Sequence, residues 1–197
     1  MPIVINGSGT VTGISVGGLP DGIVDTDMLA NNAVTSAKAT GRGITEADQW
    51  RITANVTGDA SPISSNWERN DTTGFSKLGT GLTESSGIFS FPSTGIWQIT
   101  ATSKSYHNAA NKWQEFMIYT TSDNGSNWIK STEPSGSIAN FGANAYSDAH
   151  STTIFDVTNT TNCKCRFDIN QNDGSAVMVG NGDFNTSYVT FIRLGDT

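Results

Sequence analysis

Alternating apolar and polar residues dominate the chain from Trp50 onward and predict strands rather than helices. In the segment CKCRFDIN, charged and amide residues occupy one face of a strand, and the other face carries Cys163, Cys165, Phe167 and Ile169. Such alternation is typical of an antiparallel strand with one face in the core. We therefore expect both cysteines to be buried free thiols, because strand positions two apart are too distant for easy disulfide formation.

The same pattern predicts ten short strands with Gly, Asn and Asp turn clusters between them. The predicted strands lie near residues 49–56, 66–69, 75–79, 86–91, 95–105, 113–120, 127–132, 150–158, 163–170 and 186–194. Just before the first strand, Thr45 and Asp48 have the spacing of a capping box, which predicts a turn of helix. Regular short strands indicate an all-β, antiparallel sandwich or barrel.

The last predicted strand, SYVTFIRL, is apolar on both faces. One face carries Tyr188, Ile192 and Leu194, and the other carries Val189 and Phe191. A strand that is apolar on both faces is normally buried on both. Because a sandwich core covers only one of them, the other face must contact another element or another chain, and we predict an oligomer interface.

The segment before Trp50 contains no aromatic residue and cannot contribute much to a core. Residues 21–40 are two ten-residue units placed end to end, with Val24 matching Val34. We therefore divide the chain into residues 1–20, a repeat-containing segment at 21–48 and a globular domain at 49–197. One copy of the repeat has nothing to bury its apolar residues against, whereas several copies packed side by side can bury them.

The composition of the chain excludes some classes of binding partner. The net charge is −7 and no run of Lys or Arg occurs, so nucleic acid and anionic membranes are not expected as partners. No stretch reaches the roughly 20 apolar residues of a membrane span, and the N-terminus has no recognisable secretory signal. The low fraction of charged residues, 15%, together with many hydroxyl-bearing and aromatic residues, also favours an all-β chain.

The sequence offers little catalytic or metal-binding chemistry. The only histidines, His107 and His150, stand in polar, loop-like contexts, so we interpret them as surface residues and predict no enzyme. DINQNDG, residues 168–174, has the alternating oxygens of a calcium loop, but its glycine is one position late and Val179 replaces the bidentate glutamate. We interpret it as a hairpin turn and predict neither metal nor cofactor.

Two segments resemble a known family. GTGLTESSGIFSFPSTGIWQITATSKSY and the C-terminal NTSYVTFIRLGDT resemble the complement/tumour-necrosis-factor-like jelly roll over residues 49–197, with one extra residue before the proline. The matching positions are Gly87, Phe89, Pro92, Gly95, Trp97 and Ile99. Further towards the N-terminus, VINGSGTVTGISVGGLPDGIV, AVTSAK and GITEADQWRIT resemble virion proteins of tailed bacteriophages.

These resemblances imply a virion fibre protein: a ten-stranded jelly-roll head that forms a homotrimer, preceded by an extended stalk and an N-terminal segment that docks on other virion proteins. The head interface is expected to include Tyr188, Phe191 and Ile192. The stalk interface is expected to include Ile23, Val24, Leu29 and Val34.

Counting strands backward from the C-terminus predicts that the loops at 107–112, 133–149 and 172–185 meet at the far end of the head. Their candidate ligand-binding residues are His107, Asn111, Phe141, Tyr146, Asp183 and Phe184. Aromatic rings beside amides suit sugars, so we predict a tail fibre that adheres to a host surface polysaccharide. The aromatic residues alternatively only anchor their loops. Other functions left open are a capsid or neck fibre whose jelly roll is a trimerisation cap, a polysaccharide-degrading tail protein, and a free lectin-like module.

Overall fold

A computed structural model describes Val4–Ile5, Val11–Thr12 and residues 43–197. The chain divides into two compact units, Met1–Arg42 and Gly43–Thr197. In the first unit, β1 (Val4–Ile5) pairs with β2 (Val11–Thr12) in antiparallel orientation. The predicted stalk contacts of Ile23, Val24, Leu29 and Val34 lie outside the described residues.

The second unit, called the head from here on, consists of strands and contains no helix within residues 43–197. Its strands are β3 (Ala47–Ile52), β4 (Val56–Thr57), β5 (Trp67–Arg69), β6 (Thr83–Ser85), β7 (Ile88–Ser90), β8 (Gly95–His107), β9 (Asn111–Thr121), β10 (Ile129–Thr132), β11 (Ser135–Ile138), β12 (Ala145–Val157), β13 (Lys164–Gln171), β14 (Val177–Met178) and β15 (Tyr188–Gly195). The long central strands agree with the predicted ones, whereas β6, β11 and β14 were not predicted.

The strands form two antiparallel sheets that pack as a sandwich. The seven-stranded sheet has the order β4-β14-β8-β15-β3-β5, with β12 also paired to β8. The six-stranded sheet has the order β10-β9-β13-β7-β6, with β11 also paired to β9. The prediction of an all-β antiparallel sandwich is therefore confirmed, with thirteen strands in the head rather than ten.

The strand register defines two ends of the sandwich. At one end, which we call the base, β3 begins and β15 ends, since Ile192 pairs with Ala47. At the opposite end, the apex, His107 pairs with Ala145 and Gln171 pairs with Gln114. The connections β8–β9, β11–β12 and β13–β14 therefore meet at the apex, as the strand count predicts.

Aromatic side chains fill the interior from the base to the middle. Phe89 is fully buried, and its ring centroid lies 5.0 Å from that of Trp67 and 5.4 Å from those of Phe167 and Phe191. These edge-on and tilted pairs have the geometry that aromatic rings prefer. The two thiols, Cys163 and Cys165, are free and buried in the same core, which confirms their predicted environment.

The base differs from two local predictions. No strand forms at 75–79, where Leu78 makes only an isolated bridge to Ala47. The predicted helical turn at Thr45 and Asp48 is also wrong, because β3 already includes Asp48. Its buried carboxylate accepts hydrogen bonds from Arg69, from the indole of Trp50 and from the backbone N–H of Leu82. Arg69 and Leu82 are distant in sequence, and their contacts with Asp48 override the local capping pattern.

The two faces of β15 have different environments. Val189 and Phe191 are fully buried in the core of the head, whereas Tyr188 and Ile192 are partly exposed on the outer face and Leu194 is exposed. Phe191 therefore belongs to the interior of its own chain and does not reach the outer face, which corrects its assignment to the trimer interface. Tyr188 and Ile192 remain candidates for that interface.

Candidate functional site

A polar pocket of about 270 Å³ opens at the apex. Its lining comes from the end of β8, from the β8–β9 and β11–β12 connections, from the turn between β13 and β14, and from β14 itself. The residues are Tyr106, His107, Asn108, Asn144, Ser175 and Val177. Hydroxyl and amide groups, an imidazole and an aromatic ring therefore face one small space.

His107 connects the elements around this pocket. Its side chain is buried, its Nδ1 lies 3.1 Å from the backbone carbonyl of Ala109, and its Nε2 lies 3.0 Å from Ser175 Oγ. A carbonyl oxygen only accepts, so Nδ1 carries a hydrogen in this contact. His107 was predicted to be an exposed loop residue, but it is the last residue of β8, and its inward position follows from the alternation of that strand.

Asp173 holds the turn on the other side of the pocket. Ser175 donates to Asp173 Oδ1 from its hydroxyl at 2.6 Å and from its backbone N–H at 2.9 Å. These hydrogen bonds, and more weakly the neighbouring His107, hold the pKa of Asp173 below its ordinary value. The carboxylate therefore stays ionised and keeps the 173–175 turn closed at neutral pH.

Ser175, His107 and Asp173 are the residue types of a hydrolytic triad, but their arrangement differs from one. In a triad the acid contacts the histidine nitrogen that faces away from the serine. Here that nitrogen faces the Ala109 carbonyl, and Asp173 contacts Ser175 directly. The carboxylate therefore orients the turn rather than the imidazole.

Tyr146 lies beside the pocket on the outer face of the seven-stranded sheet. It pairs across the strands with Tyr106, with the ring centroids 5.6 Å apart, and Lys104 Nζ lies 4.9 Å from the centroid of the Tyr146 ring. Phe141, in the β11–β12 connection, is 77% exposed. Of the predicted ligand-binding residues, His107, Tyr146 and Phe141 thus belong to the apex.

Asn111 is at the apex but does not face solvent. Its side chain is fully buried, and its Oδ1 accepts from the backbone N–H of Asp173 at 3.0 Å. Asn111 therefore tethers the β13–β14 turn to β9. Its prediction as a ligand-binding residue is corrected to a structural role.

Asp183 and Phe184 belong to a different surface. The carbonyl of Asp183 accepts from Thr72 Oγ1 at 3.1 Å, and the neighbouring Asn185 donates to Gln49 Oε1 at 2.7 Å. Their loop therefore covers the β3–β5 edge of the seven-stranded sheet. The sequence grouped them with the apex loops, but neither residue lines the pocket.

The segment considered as a calcium loop is split between a strand and a turn. Asp168 is buried and accepts from Ser61 and Arg166, whereas Asn170 donates to Glu115. Both residues lie on β13, and the following residues form the turn that contains Asp173. Their oxygens do not converge on one point, because strand residues and turn residues face different partners.

The outer face of the seven-stranded sheet is the second candidate surface. Residues directly opposite one another on antiparallel strands share a face, and two rows across the sheet stand out. The row nearer the base contains Ile154, Gln98, Ile192, Ala47 and Leu78. The next row contains Thr152, Thr100, Thr190 and Gln49.

These two rows differ in chemistry. In the row nearer the base, Ile154 and Leu78 are about half exposed, at 55% and 48%. In the next row, Thr100 hydrogen-bonds to Thr152, and Gln49 donates to Thr190 at 2.8 Å. A row that is apolar except for Gln98, which we call the apolar band, thus lies beside a hydrogen-bonded polar row on the outer face.

Comparisons with solved structures identify the fold of the head. Murine APRIL has a TM-score of 0.53 and 11% identity over 76% of this chain and 98% of the other. Eiger TNF from S. frugiperda has a TM-score of 0.57 and 14% identity over 79% of this chain and 96% of the other. At such low identity the similarity concerns the fold alone, and the head has a TNF-like jelly-roll fold.

No protein-family model and no curated protein matches the sequence. The predicted resemblance to the complement/tumour-necrosis-factor-like jelly roll is confirmed at the level of fold. Within the residues that the structure describes, no helix has the length and apolar character needed to cross a membrane.

Proposed function

We propose that the chain is a virion fibre protein of a tailed bacteriophage whose homotrimeric head binds a glycan on the host surface. The apex pocket supports the adhesive role, because it places Asn108, Asn144 and Ser175 beside the ring of Tyr106. Amides, hydroxyls and aromatic rings are the groups that recognise sugars. Three such sites on one trimer bind a repetitive polysaccharide with avidity even when each site is weak.

The trimer is the second part of this proposal. It is supported by the apolar band on the outer face of the seven-stranded sheet, where Ile154, Ile192 and Leu78 share one row. Gln98 lies between Ile154 and Ile192, and the other residues of the row are apolar. Exposed apolar residues grouped on one face mark an association site more often than free surface. Tyr188, one row beyond the threonines on β15, lies on the same face.

Light scattering tests the trimer. We expect the wild-type chain to have the mass of three copies and Ile192→Lys to have the mass of one, because the variant places a charge in the apolar band. Ile129→Lys is the matched control: Ile129 is 66% exposed on β10 of the other sheet, and its substitution leaves the trimer intact. A monomeric wild-type chain at micromolar concentration contradicts the trimer.

Binding to purified host surface polysaccharide tests adhesion. Replacing both Asn108 and Asn144 with Ala is expected to weaken binding at least tenfold, because it removes two hydrogen-bonding amides. Asn162→Ala, an exposed asparagine near the base, is the matched control and keeps wild-type affinity. Full infectivity of phage that carry the double variant, together with no binding by the wild-type head, favours the alternative of a capsid or neck fibre whose head is a trimerisation cap.

The same polysaccharide assay addresses the degradative alternative. Release of reducing ends by the wild-type head establishes a polysaccharide-degrading tail protein, and unchanged polymer length supports simple adhesion.

Residues 21–48 form the stalk in this proposal, and residues 1–20 dock on other virion proteins. The ten-residue repeat motivates this assignment. Val24→Asp is expected to accelerate proteolysis within residues 21–40 and to leave the head folded. Equal cleavage rates for variant and wild type identify the repeat as a linker.

A further inference from the structure

The interior of the sandwich changes character at the apex, where polar side chains are buried without protein partners. Within residues 43–197, nine buried side-chain nitrogen or oxygen atoms lack a hydrogen-bond partner in the protein. Five of them lie at this end: Ser103 Oγ, Ser105 Oγ, Asn111 Nδ2, Gln114 Oε1 and Gln171 Oε1. Because buried polar groups are nearly always paired, such a concentration calls for a ligand.

The strand register brings these groups together. Gln114 and Gln171 are direct cross-strand partners in the six-stranded sheet. Gln114 Nε2 crosses the interior and donates to the backbone carbonyl of Ser147 at 2.7 Å. Ser147 is the cross-strand partner of Ser105, so the Gln114 amide reaches the level of Ser105 in the opposite sheet.

The β13–β14 turn closes the same region from above. Gln171 Nε2 donates to the carbonyl of Ala176 at 3.0 Å, and Met178, two residues later, pairs with Ser105. Asn111 is fixed to this turn through the Asp173 N–H. Each amide thus has one end bound to the protein and leaves its other end unpaired in the interior.

The unpaired groups at the apex include both hydrogen-bond donors and acceptors, which indicates what kind of ligand they can bind. Gln114 and Gln171 offer carbonyl acceptors, Asn111 offers N–H donors, and Ser103 and Ser105 offer hydroxyls that do both. A metal cation would face the Asn111 donor, and an apolar ligand would pair with none of these groups. Water both donates and accepts, and a buried water molecule typically makes about three hydrogen bonds.

We propose that the apex interior is a binding site for ordered water, in which one or more molecules bridge the serine hydroxyls of β8 to the glutamine and asparagine amides of β9 and β13. His107, two residues beyond Ser105 on β8, lines the apex pocket, so this hydrated site lies next to the pocket wall. It holds the two sheets together where the aromatic core ends.

The sign of a stability change tests the proposal. Ser105→Ala is expected to lower the melting temperature by about 2–4 °C at fixed protein concentration, because the lost hydroxyl anchors water. The matched control is Ser93→Ala, since Ser93 Oγ also lacks a partner but lies in the loop before β8, away from the other four side chains. The control is expected to leave the melting temperature unchanged or raised. An unchanged or raised value for Ser105→Ala, or equal losses in both variants, overturns the proposal.

A crystal structure beyond about 1.5 Å resolution provides a second test that does not depend on a variant's folding. Density peaks are expected about 2.6–3.2 Å from Ser105 Oγ and from Gln114 or Gln171 Oε1, which are hydrogen-bonding distances. An interior without such peaks overturns the proposal, and so does a peak surrounded by six or more oxygens at about 2.3–2.6 Å, which identifies a cation.

Discussion

The two sheets are held together by aromatic packing near the base and by hydrogen-bonded polar side chains at the apex. Four aromatic rings from both sheets surround Phe89, with their centroids 5.0–5.6 Å from that of its ring. At the apex, the Gln114 amide donates to the backbone carbonyl of Ser147 in the opposite sheet, and Ser103 and Ser105 are buried at the same end. Near the base, large rings fill the interior and leave no room for water. At the apex, the contact between the sheets depends on the direction of each hydrogen bond.

The two ends also differ in how much each contact contributes to stability. Burial of large aromatic side chains contributes several kcal/mol each, whereas a hydrogen bond contributes about 1 kcal/mol net. The apex loops form the pocket at the polar end, where each element is held by directed contacts such as those of Asn111 and His107. We therefore expect substitutions near the base to act on folding and substitutions at the apex to act mainly on the pocket.

The largest expected effect is that of Phe89→Ala in the aromatic core. We expect it to lower the free energy of unfolding by about 3–5 kcal/mol, because it leaves a cavity among four rings. Denaturation in urea measures the change. Phe141→Ala, at an exposed apex position, is the control and changes stability by less than about 0.5 kcal/mol. Equal losses in the two variants would contradict the division between the two ends.

Asp48→Ala tests whether the base also depends on a buried charge. The variant leaves the N–H groups of Leu82 and Trp50 without their acceptor, whereas Arg69, 33% exposed, regains water. We therefore expect a loss of about 2–3 kcal/mol, below the usual cost of breaking a fully buried pair. Asp196→Ala is the control, because Asp196 pairs with Arg193 while 91% exposed and contributes little. If Asp48→Ala loses no more stability than Asp196→Ala, the buried charge does not contribute and the aromatic side chains alone stabilise the base.

The fold could be predicted from the sequence wherever a strand is long enough to show its alternation. The thirteen residues of β8 and the Cys163–Ile169 segment have one buried and one outer face, which is a local signal. The two-residue strand β14 has no such signal, because its pairing with β8 is imposed by its neighbours. Asp48 shows the opposite failure, since a genuine local pattern was overridden by contacts with residues 69 and 82.

The candidate site was predictable in position but only partly in its residues. The end of the sandwich followed from counting strands, and Tyr146 and Phe141 are exposed there. His107 carried a usable signal, because extending the alternation of β8 by one step places it inside. Asn111 and Ser175 carried none, since their roles depend on pairing with Asp173 and His107 across the chain.

Gln114→Met tests how much the polar interior at the apex contributes to stability. It removes the hydrogen bond that links the two sheets through the Ser147 carbonyl and leaves that acceptor without its side-chain donor. We expect a loss of about 1–2 kcal/mol in chemical denaturation, smaller than that of Phe89→Ala. Lys112→Met, exposed on the same strand, is the control and stays within about 0.5 kcal/mol of wild type. A loss matching that of Phe89→Ala would make the apex an equal source of stability.

The smallest expected effect is acid sensitivity in the turn between β9 and β10. Asp123 accepts from Thr121 Oγ1 and from the backbone and side chain of Asn127, and these hydrogen bonds lower its pKa from 3.8 to about 2. A carboxyl with a lowered folded-state pKa contributes stability that is complete above its unfolded pKa and is lost as the pH falls through the folded one. We therefore expect the stability advantage of wild type over Asp123→Asn to be constant near neutral pH and to shrink from about pH 4 to pH 2, as measured by urea denaturation.

Asp173 at the apex has its pKa lowered by the same kind of turn contacts, so the stability advantage of wild type over Asp173→Asn is also expected to shrink as the pH falls. An advantage that grows as the pH falls in either variant would contradict the hydrogen-bond origin of the shift, whereas matching behaviour would show that the turns at both ends are held alike although the interiors beneath them are not.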